Sequence, residues 1–181
     1  MYALDTEFAE DGTTIALLSL GLVAADGRTY YAQVVESDYA RCNMFVVEHV
    51  IPAMTVCPGG FSKNQHWSFF SNRDSWGCVD GCPWRWKTVI AQEVRAFVGE
   101  TPAFVTYYGA HDWVVLCQLY GSMTMLPSGW PMYATDLRAY LDWHGSQSLT
   151  QPDDMPHHAL SDAHWIMETW HRYALHSDVG V

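Results

Sequence analysis

The chain has 181 residues, of which 49% are hydrophobic, 14% aromatic and only 16% charged, and its formal net charge is -11. This length fits one domain with a sizeable core, and the composition is too hydrophobic for an intrinsically disordered chain. The negative charge argues against a protein that holds nucleic acid mainly by a basic face, but it is compatible with an enzyme whose acids bind cations.

The apolar runs and the cysteines of the sequence indicate the cellular compartment of the protein. No run approaches the roughly 18 uninterrupted apolar residues of a membrane helix, and no basic segment of a secretory signal precedes the first apolar run. The five cysteines are an odd number, which favours free thiols in a reducing compartment. We therefore expect a cytoplasmic protein.

Three runs at the start of the chain have the composition of β-strands. They cover residues 2–8, 13–25 and 28–35, and the turn-forming triplets EDG and ADG separate them. Because short turns join these consecutive strands, we expect an antiparallel meander.

A helical pattern follows over residues 43–54, and the Pro-Gly-Gly triplet at 58–60 ends it. Residues 57–87 are irregular and dense in Trp, Cys, Gly and Ser, which predicts a long surface excursion. Apolar residues then recur at helical spacing over residues 88–99, which end on a glycine.

The second half of the chain alternates between strands and helices. The predicted order is strand, helix, strand, helix, polar loop and helix, over residues 103–109, 111–121, 132–137, 137–145, 146–158 and 159–175. Three antiparallel strands followed by this alternation predict an α/β fold, a mixed five-stranded sheet with helices on its faces. We expect residues 1–181 to form a single domain.

Two acidic residues, Asp5 and Glu7, interrupt the mostly apolar first strand. Alternate residues of a strand point to the same face, so the two carboxylates project side by side. Like charges this close repel unless a cation lies between them. Taken alone, the pair also fits a solvated strand face.

Two later segments place further polar groups near this strand. Asp112 follows a predicted strand at the start of a helix, where open α/β sheets usually build their sites. His157 precedes the last helix and Asp162 lies about one turn inside it, so both can face the sheet. Alone, each fits an ordinary helix-capping or exposed residue.

Together, the four carboxylates and the imidazole predict metal chemistry. Acids gathered in one cleft repel, and a pair of hard divalent cations with oxygen ligands relieves that repulsion. Two such ions about 3.5–4 Å apart can hold the attacking and leaving oxygens of a phosphodiester. With an unperturbed pKa of about 6.5, His157 is suited to accept a proton from the attacking water.

At these positions the sequence resembles a known family. The segments DTEF, YYGAHD and HHALSDA look like the three motifs of the DEDDh group, which are 3′-5′ exonucleases with a ribonuclease-H-like fold. The residues flanking the first two motifs are similar to the RNase AS type, an adenylate-preferring exoribonuclease. The resemblance covers most of the chain and fails mainly between residues 55 and 87.

The resemblance implies a role for each candidate residue. Asp5 is expected to bridge two Mg²⁺ or Mn²⁺ ions, and Glu7 and Asp162 are expected to complete one ion site. Asp112 is expected to serve the other ion, partly through water. His157 is the expected general base, because it stands five residues before Asp162 as the family motif requires.

The neighbouring His158 stands only four residues before Asp162 and has no implied catalytic role. The implied substrate is single-stranded, adenylate-rich RNA, which is degraded from its 3′ end to nucleoside 5′-monophosphates. The resemblance also implies a homodimer.

Two other functions stay open from the sequence. A 3′-5′ DNA exonuclease of the proofreading type shares the same catalytic group, and only contacts to the 2′-hydroxyl distinguish RNA from DNA. A non-catalytic nucleic-acid-binding or zinc-stabilised interaction module is a third hypothesis. The complete set of four acids disfavours it, because a binding module has no use for them.

Zinc ligation is an alternative for part of the excursion. The four candidate ligands are Cys57, His66, Cys78 and Cys82. The last two have a usual zinc-ligand spacing, but the other gaps follow no standard pattern. We therefore favour cysteines without a metal.

Aromatic and basic residues also alternate in the excursion. They are Trp67, Phe69, Phe70, Trp76, Trp84 and Trp86, beside Lys63, Arg73, Arg85 and Lys87. Such a surface can stack bases and follow phosphates, but the aromatics can equally form a satellite core beneath a long loop, which we favour. For His111 and Trp113, packing and substrate contact both stay open.

Overall fold

A computed structural model describes residues 1–55, 81–145, 151 and 157–173. Within them, six strands form one mixed sheet in the order β4-β3-β2-β1-β5-β6. The strands are β1 (Tyr2–Glu10), β2 (Ile15–Ala24), β3 (Thr29–Val34), β4 (Trp84–Arg85), β5 (Phe104–Thr106) and β6 (Thr135–Asp136). The first three are antiparallel, and β4, β5 and β6 each pair in parallel with a neighbour.

The described helices flank this sheet. They are α1 (Ile51–Ala53), α2 (Lys87–Val98), α3 (Ala110–Gln118), α4 (Leu137–Trp143) and α5 (Ala159–Tyr173), with 3-10 turns at Tyr39–Arg41 and Met123–Met125. A π-helical segment, Val46–Val50, leads directly into α1. None of the helices that the structure describes has the length and apolarity needed to cross a membrane.

The predicted mixed α/β class is confirmed, but the sheet has six strands instead of five. The additional strand is β4. It lies inside the stretch predicted to be irregular, and it pairs with β3. A run of two residues is too short to display the alternation of a strand. The pairing of β4 with β3 depends instead on the burial of its side chains. Trp84 is buried beside Val35, Met54 and Cys82. The remainder of the excursion, residues 57–80, lies outside the described residues.

The predicted element boundaries move where turns are hydrogen-bonded. β2 begins at Ile15 instead of Thr13, because Asp11 accepts hydrogen bonds from the backbone N–H groups of Thr13 and Thr14. The helix predicted over residues 43–54 contains a π-helical segment, Val46–Val50, and Pro52, which has no N–H to donate, lies in its last turn.

Two apolar layers cover the sheet. On one face, α2 and α3 pack through residues such as Ile90 and Leu116 against Leu4 of β1. On the other face, α5 packs through Ile166 against Ala3. Because side chains alternate along β1, Asp5 and Glu7 lie on the same face as Ala3, beneath the start of α5.

Gly21 of β2 allows α5 to begin close to the sheet. It lies opposite Asp5 in the ladder, and a Cβ atom there would come within 2.3 Å of the Ala159 carbonyl oxygen. Real Cβ atoms do not approach backbone this closely, so only glycine fits without a shift of the helix. This contact brings the first turn of α5 over the acidic end of β1.

Candidate active site

The site begins at the acidic pair of β1. Asp5 is half-buried and Glu7 is only 8% exposed. Burial, and then repulsion from Asp112, Glu7 and Asp162, raises the pKa of Asp5 well above its ordinary value. Burial also raises the pKa of Glu7 to about 8, with further repulsion from Asp162 and Asp112. The four carboxyl groups therefore share one electrostatic environment.

A β-bulge follows the acidic pair. The register between β1 and β2 shifts between Glu7 and Phe8, so that Phe8 lies opposite Leu17. Bulges re-aim the following side chains and are common beside active sites. The extra residue, Leu18, belongs to β2, so the alternation along β1 continues past the acidic pair, and Phe8 packs on the face of Leu4.

Asp112 reaches the site from the first turn of α3. Its Oδ1 accepts hydrogen bonds from the backbone N–H of Thr6, at 2.8 Å, and from the Thr6 hydroxyl, at 2.6 Å. Burial raises the pKa of Asp112 to about 6, although both bonds from Thr6 act to lower it. Thr6 therefore attaches α3 to β1 between the two strand acids.

Sequence reasoning missed Thr6. Its signal was available, because a residue between two same-face acids points to the opposite face of the strand, and a hydroxyl there can only be buried with a polar partner. The sequence offered no way to identify that partner, which lies 106 residues away.

The turn before Asp112 has a defined geometry. Tyr108 has a φ of 53°, and the Gly109 N–H donates to Oδ2 of Asp136 over 2.8 Å. The other oxygen of Asp136 accepts the Ala139 N–H and caps α4. One carboxylate thus connects α4 to the turn that presents Asp112. The left-handed Tyr108 also explains why the strand predicted over residues 103–109 ends at Thr106.

Asp162 approaches from α5 and is 5% exposed. Its Oδ1 accepts a hydrogen bond from Nε2 of Gln151, at 2.9 Å. Burial raises the pKa of Asp162 to about 6, partly offset by hydrogen bonds from the His158 backbone and Gln151. Gln151 is a second residue that sequence reasoning missed, since nothing in a polar loop marks one amide as a partner of the helix that follows it.

The two adjacent histidines face different surroundings. His157 is exposed, and its ring meets Phe45 edge-on at a centroid distance of 4.9 Å. His158 stacks on Tyr31 at 4.5 Å and 25°, beside β3. Burial lowers the pKa of His157, and the charge of nearby His49 adds to this effect. Of the two, His157 lines the same cleft as the acids.

One cleft of about 370 Å³ receives all five residues that the sequence singled out, Asp5, Glu7, Asp112, His157 and Asp162. Ligand atoms of Glu7, His157 and Asp162 lie within 4.8 Å of one another. Among the described residues that line the cleft there is no lysine or arginine. Carboxylate oxygens without basic partners are donors that suit hard divalent cations.

The other candidates separate into packing residues and residues outside the described ranges. Trp113 contacts Phe104 in the core, and His111 meets Phe8 edge-on at 5.2 Å. Trp84 and Trp86 belong to a small apolar cluster with Cys82, as expected for a satellite core. The remaining zinc and stacking candidates lie outside the described residues: Cys57, Lys63, His66, Trp67, Phe69, Phe70, Arg73, Trp76 and Cys78.

Comparison with known proteins points to one family. The family model described as the 3′-5′ exoribonuclease Rv2179c-like domain matches residues 1–174. Two Mycobacterium tuberculosis proteins, named 3′-5′ exoribonuclease Rv2179c (strain H37Rv) and 3′-5′ exoribonuclease MT2234.1 (strain CDC 1551), are each 35% identical over 167 residues. Those alignments cover 90% of this chain and 86% of each relative.

A solved structure shares the fold. It is described as the yeast NOT1 MIF4G domain co-crystallized with CAF1, and it matches with a TM-score of 0.51 and 12% identity. The match covers 97% of this chain and 79% of that one. At such low identity, the similarity concerns the fold alone.

Proposed function

Because this chain belongs to the family of Rv2179c-like 3′-5′ exoribonuclease domains, we propose that its acidic cleft hydrolyses the 3′-terminal phosphodiester bond of single-stranded RNA. The chain is a 3′-5′ exoribonuclease by family. The finer proposal is a DEDDh mechanism of the RNase AS type, which releases nucleoside 5′-monophosphates from adenylate-rich RNA. One observation supports it above the others: all four acids and His157 line one cleft.

The donor set of the cleft fits two divalent cations, Mg²⁺ or Mn²⁺. The proposed ligands are Asp5, Glu7, Asp112 and Asp162. Burial raises the pKa of all four, and repulsion between the acids adds to this effect for Asp5, Glu7 and Asp162, which disfavours the ionised carboxylates unless a cation lies among them. Such ions, when bound, stabilise the attacking and leaving oxygens of a phosphodiester during in-line displacement.

The protein contributes rigidity to this arrangement. Asp5 and Glu7 project from a strand in the middle of the sheet, where both neighbours restrain the backbone. Both donors of Thr6 bind Oδ1 of Asp112, which fixes the carboxylate and leaves Oδ2 for another partner. Gln151 orients Asp162 in the same way through Oδ1.

His157 is the proposed general base. Because its pKa lies below the ordinary histidine value, the ring is neutral at pH 7 and can accept a proton. In the proposed step, a water oxygen attacks phosphorus, its proton passes to His157, and the P–O3′ bond to the preceding nucleotide breaks, with O3′ taking up a proton from solvent to form the new 3′-hydroxyl. The products are a nucleoside 5′-monophosphate and an RNA shortened by one residue.

A direct assay tests this function. We expect purified protein with Mg²⁺ or Mn²⁺ to shorten a 5′-labelled oligoadenylate RNA stepwise and to release AMP, with slower cleavage of oligouridylate and of the matched DNA. Asp5→Ala and Asp162→Ala, each checked for folding, are expected to remove turnover. Cleavage of DNA but not RNA would favour the proofreading type, and tight RNA binding without turnover would favour a non-catalytic module.

A further inference from the structure

We propose that Tyr108 forms a second nucleobase site at the mouth of the cleft, where its ring stacks on the penultimate base of the RNA. The inference rests on the proposed function, because it concerns the strand that the cleft is proposed to cleave. Tyr108 follows β5, lines the cleft beside Tyr107 and stands four residues before Asp112.

The backbone of Tyr108 is strained. Its φ of 53° makes it the one non-glycine residue with a positive φ in the described part of the chain. A left-handed backbone is unfavourable for a bulky residue and persists where the surroundings hold it, most often at functional sites. Here, the bond from Gly109 N–H to Asp136 holds the turn. A glycine or asparagine would adopt this conformation more easily, so a tyrosine at this position points to a use for its ring.

The ring of Tyr108 is supported on one side and open on the other. It meets the ring of Tyr107 at a centroid distance of 4.7 Å and an angle of 62°. Tyr107 in turn meets Trp165 of α5 at 4.8 Å. Tyr108 nevertheless stays 69% exposed. A supported, exposed aromatic ring can stack on a base with little loss of side-chain entropy.

The size of the cleft places the second base at its mouth. Its volume of about 370 Å³ lies near the lower end of the range of about 300–1,000 Å³ that is typical of small-ligand pockets. We take this volume to hold the terminal nucleotide. The chain of a longer RNA therefore leaves the cleft at the mouth, where Tyr108 is exposed.

The charge of the cleft points to stacking as the means of holding that nucleotide. Proteins that follow a nucleic-acid backbone use lysine and arginine, and none lines the described part of this cleft. Aromatic stacking needs no positive charge and accepts any base, because every base has a π-face.

A pair of substrates tests the inference. The first is an adenylate tetramer RNA, and the second is the same tetramer with an abasic ribose at the penultimate position. The measured quantity is the ratio of kcat/KM for the first substrate to that for the second, with Mg²⁺ present. Tyr108→Asn removes the ring and suits the left-handed backbone, and we expect it to lower this ratio about 5- to 100-fold.

Two controls isolate the ring. Tyr108→Phe retains the stacking surface and should retain the ratio. Tyr133→Asn removes a tyrosine that is equally exposed, at 70%, but does not line the cleft, and should also retain it. An unchanged ratio in Tyr108→Asn, even if both rates fall, would overturn the inference, as would an equal fall in Tyr133→Asn. If the unmutated protein cleaves neither tetramer, the proposed function itself is wrong, and the inference fails with it.

Discussion

Thr6 donates both its backbone N–H and its hydroxyl to the same oxygen of Asp112, across 106 residues of chain. The bond lies on the α3 face of the sheet, to which Thr6 projects, whereas Asp5 and Glu7 project to the opposite face, beneath α5. One short segment of β1 thus supplies two candidate ligands directly and holds a third through its middle residue.

Replacing the Thr6 hydroxyl is expected to weaken cation binding. Thr6→Val keeps the shape of the side chain and the backbone donor but removes the bond of 2.6 Å. Partners that orient a metal ligand typically change metal affinity or activity about 10- to 100-fold when they are removed. We expect the Mg²⁺ concentration for half-maximal activity to rise by a factor of this size, and we expect Thr6→Ser to restore the original value. Unchanged Mg²⁺ dependence in Thr6→Val would show that the backbone N–H alone orients Asp112.

Substitution of Gly21 should displace α5. The new Cβ of Gly21→Ala meets the backbone of Ala159 and Leu160 at 2.3–2.5 Å, and backbone does not yield as a flexible side chain does. Overpacking of this kind typically destabilises a protein by about 1–3 kcal/mol. We expect a lower urea midpoint. We also expect a loss of activity that is larger than the loss of folded protein, because α5 carries Asp162.

The matched control for that variant is Gly27→Asn. Gly27 lies in the turn between β2 and β3, and a Cβ there has no neighbour within 4 Å. Asparagine tolerates the left-handed backbone, so this change should leave activity unaltered. Gly21→Ala that is as active and stable as Gly27→Asn would contradict the close packing of α5 on β2.

Stability without cations should fall as the pH rises. Burial raises the pKa of Glu7 to about 8 and those of Asp112 and Asp162 to about 6, and repulsion from neighbouring acids adds to the rise at Glu7 and Asp162. For an acid whose pKa is higher in the folded state, the stabilising contribution is complete below the unfolded pKa of about 4. It is lost as the pH rises through the folded value. The Tm of the metal-free protein should therefore fall as the pH rises from about 5 to about 8.

Mg²⁺ should reverse this loss, and more strongly at about pH 8 than at pH 5, because cations favour the ionised carboxylates. Glu7→Gln supplies the control. Without metal at high pH, its free energy of unfolding should exceed that of the unmutated protein by at least about 1 kcal/mol, or about 2–4 °C in Tm. Mg²⁺ should raise the Tm of this variant less than that of the unmutated protein. Thermal scans with EDTA and with Mg²⁺ measure both effects. A Tm of the metal-free protein that does not change with pH would contradict the shared environment of the acids.

The adjacent histidines should differ in function. His157→Ala removes the proposed base from the cleft, and general-base catalysis typically contributes about 10²- to 10⁴-fold in rate. His158→Ala removes a ring stacked on Tyr31 and should lower stability by about 1 kcal/mol. Single-turnover rates and urea unfolding separate the two effects. A greater rate loss in His158→Ala than in His157→Ala would reverse the assignment.

The sequence by itself determined the features that depend on local periodicity. Alternation along β1 predicted that Asp5 and Glu7 share a face, and turn residues predicted the first three strands and the end of α2 at Gly99. The position of Asp112 at the start of a helix was predictable for the same reason, since a strand followed by a helix start is a local pattern. β4 was not, because a two-residue strand has no periodicity and exists only through its pairing with β3.

Only the tertiary structure decided which residues meet. The bond from Thr6 to Asp112 and the space that Gly21 leaves for Ala159 each join segments far apart in the chain, and the bond from Gln151 to Asp162 joins a loop to the helix that follows it. Such contacts depend on strand register and on the close approach of one helix to a sheet. Local sequence encodes which face a side chain takes, whereas its partner across the fold is set by the packing of the whole core.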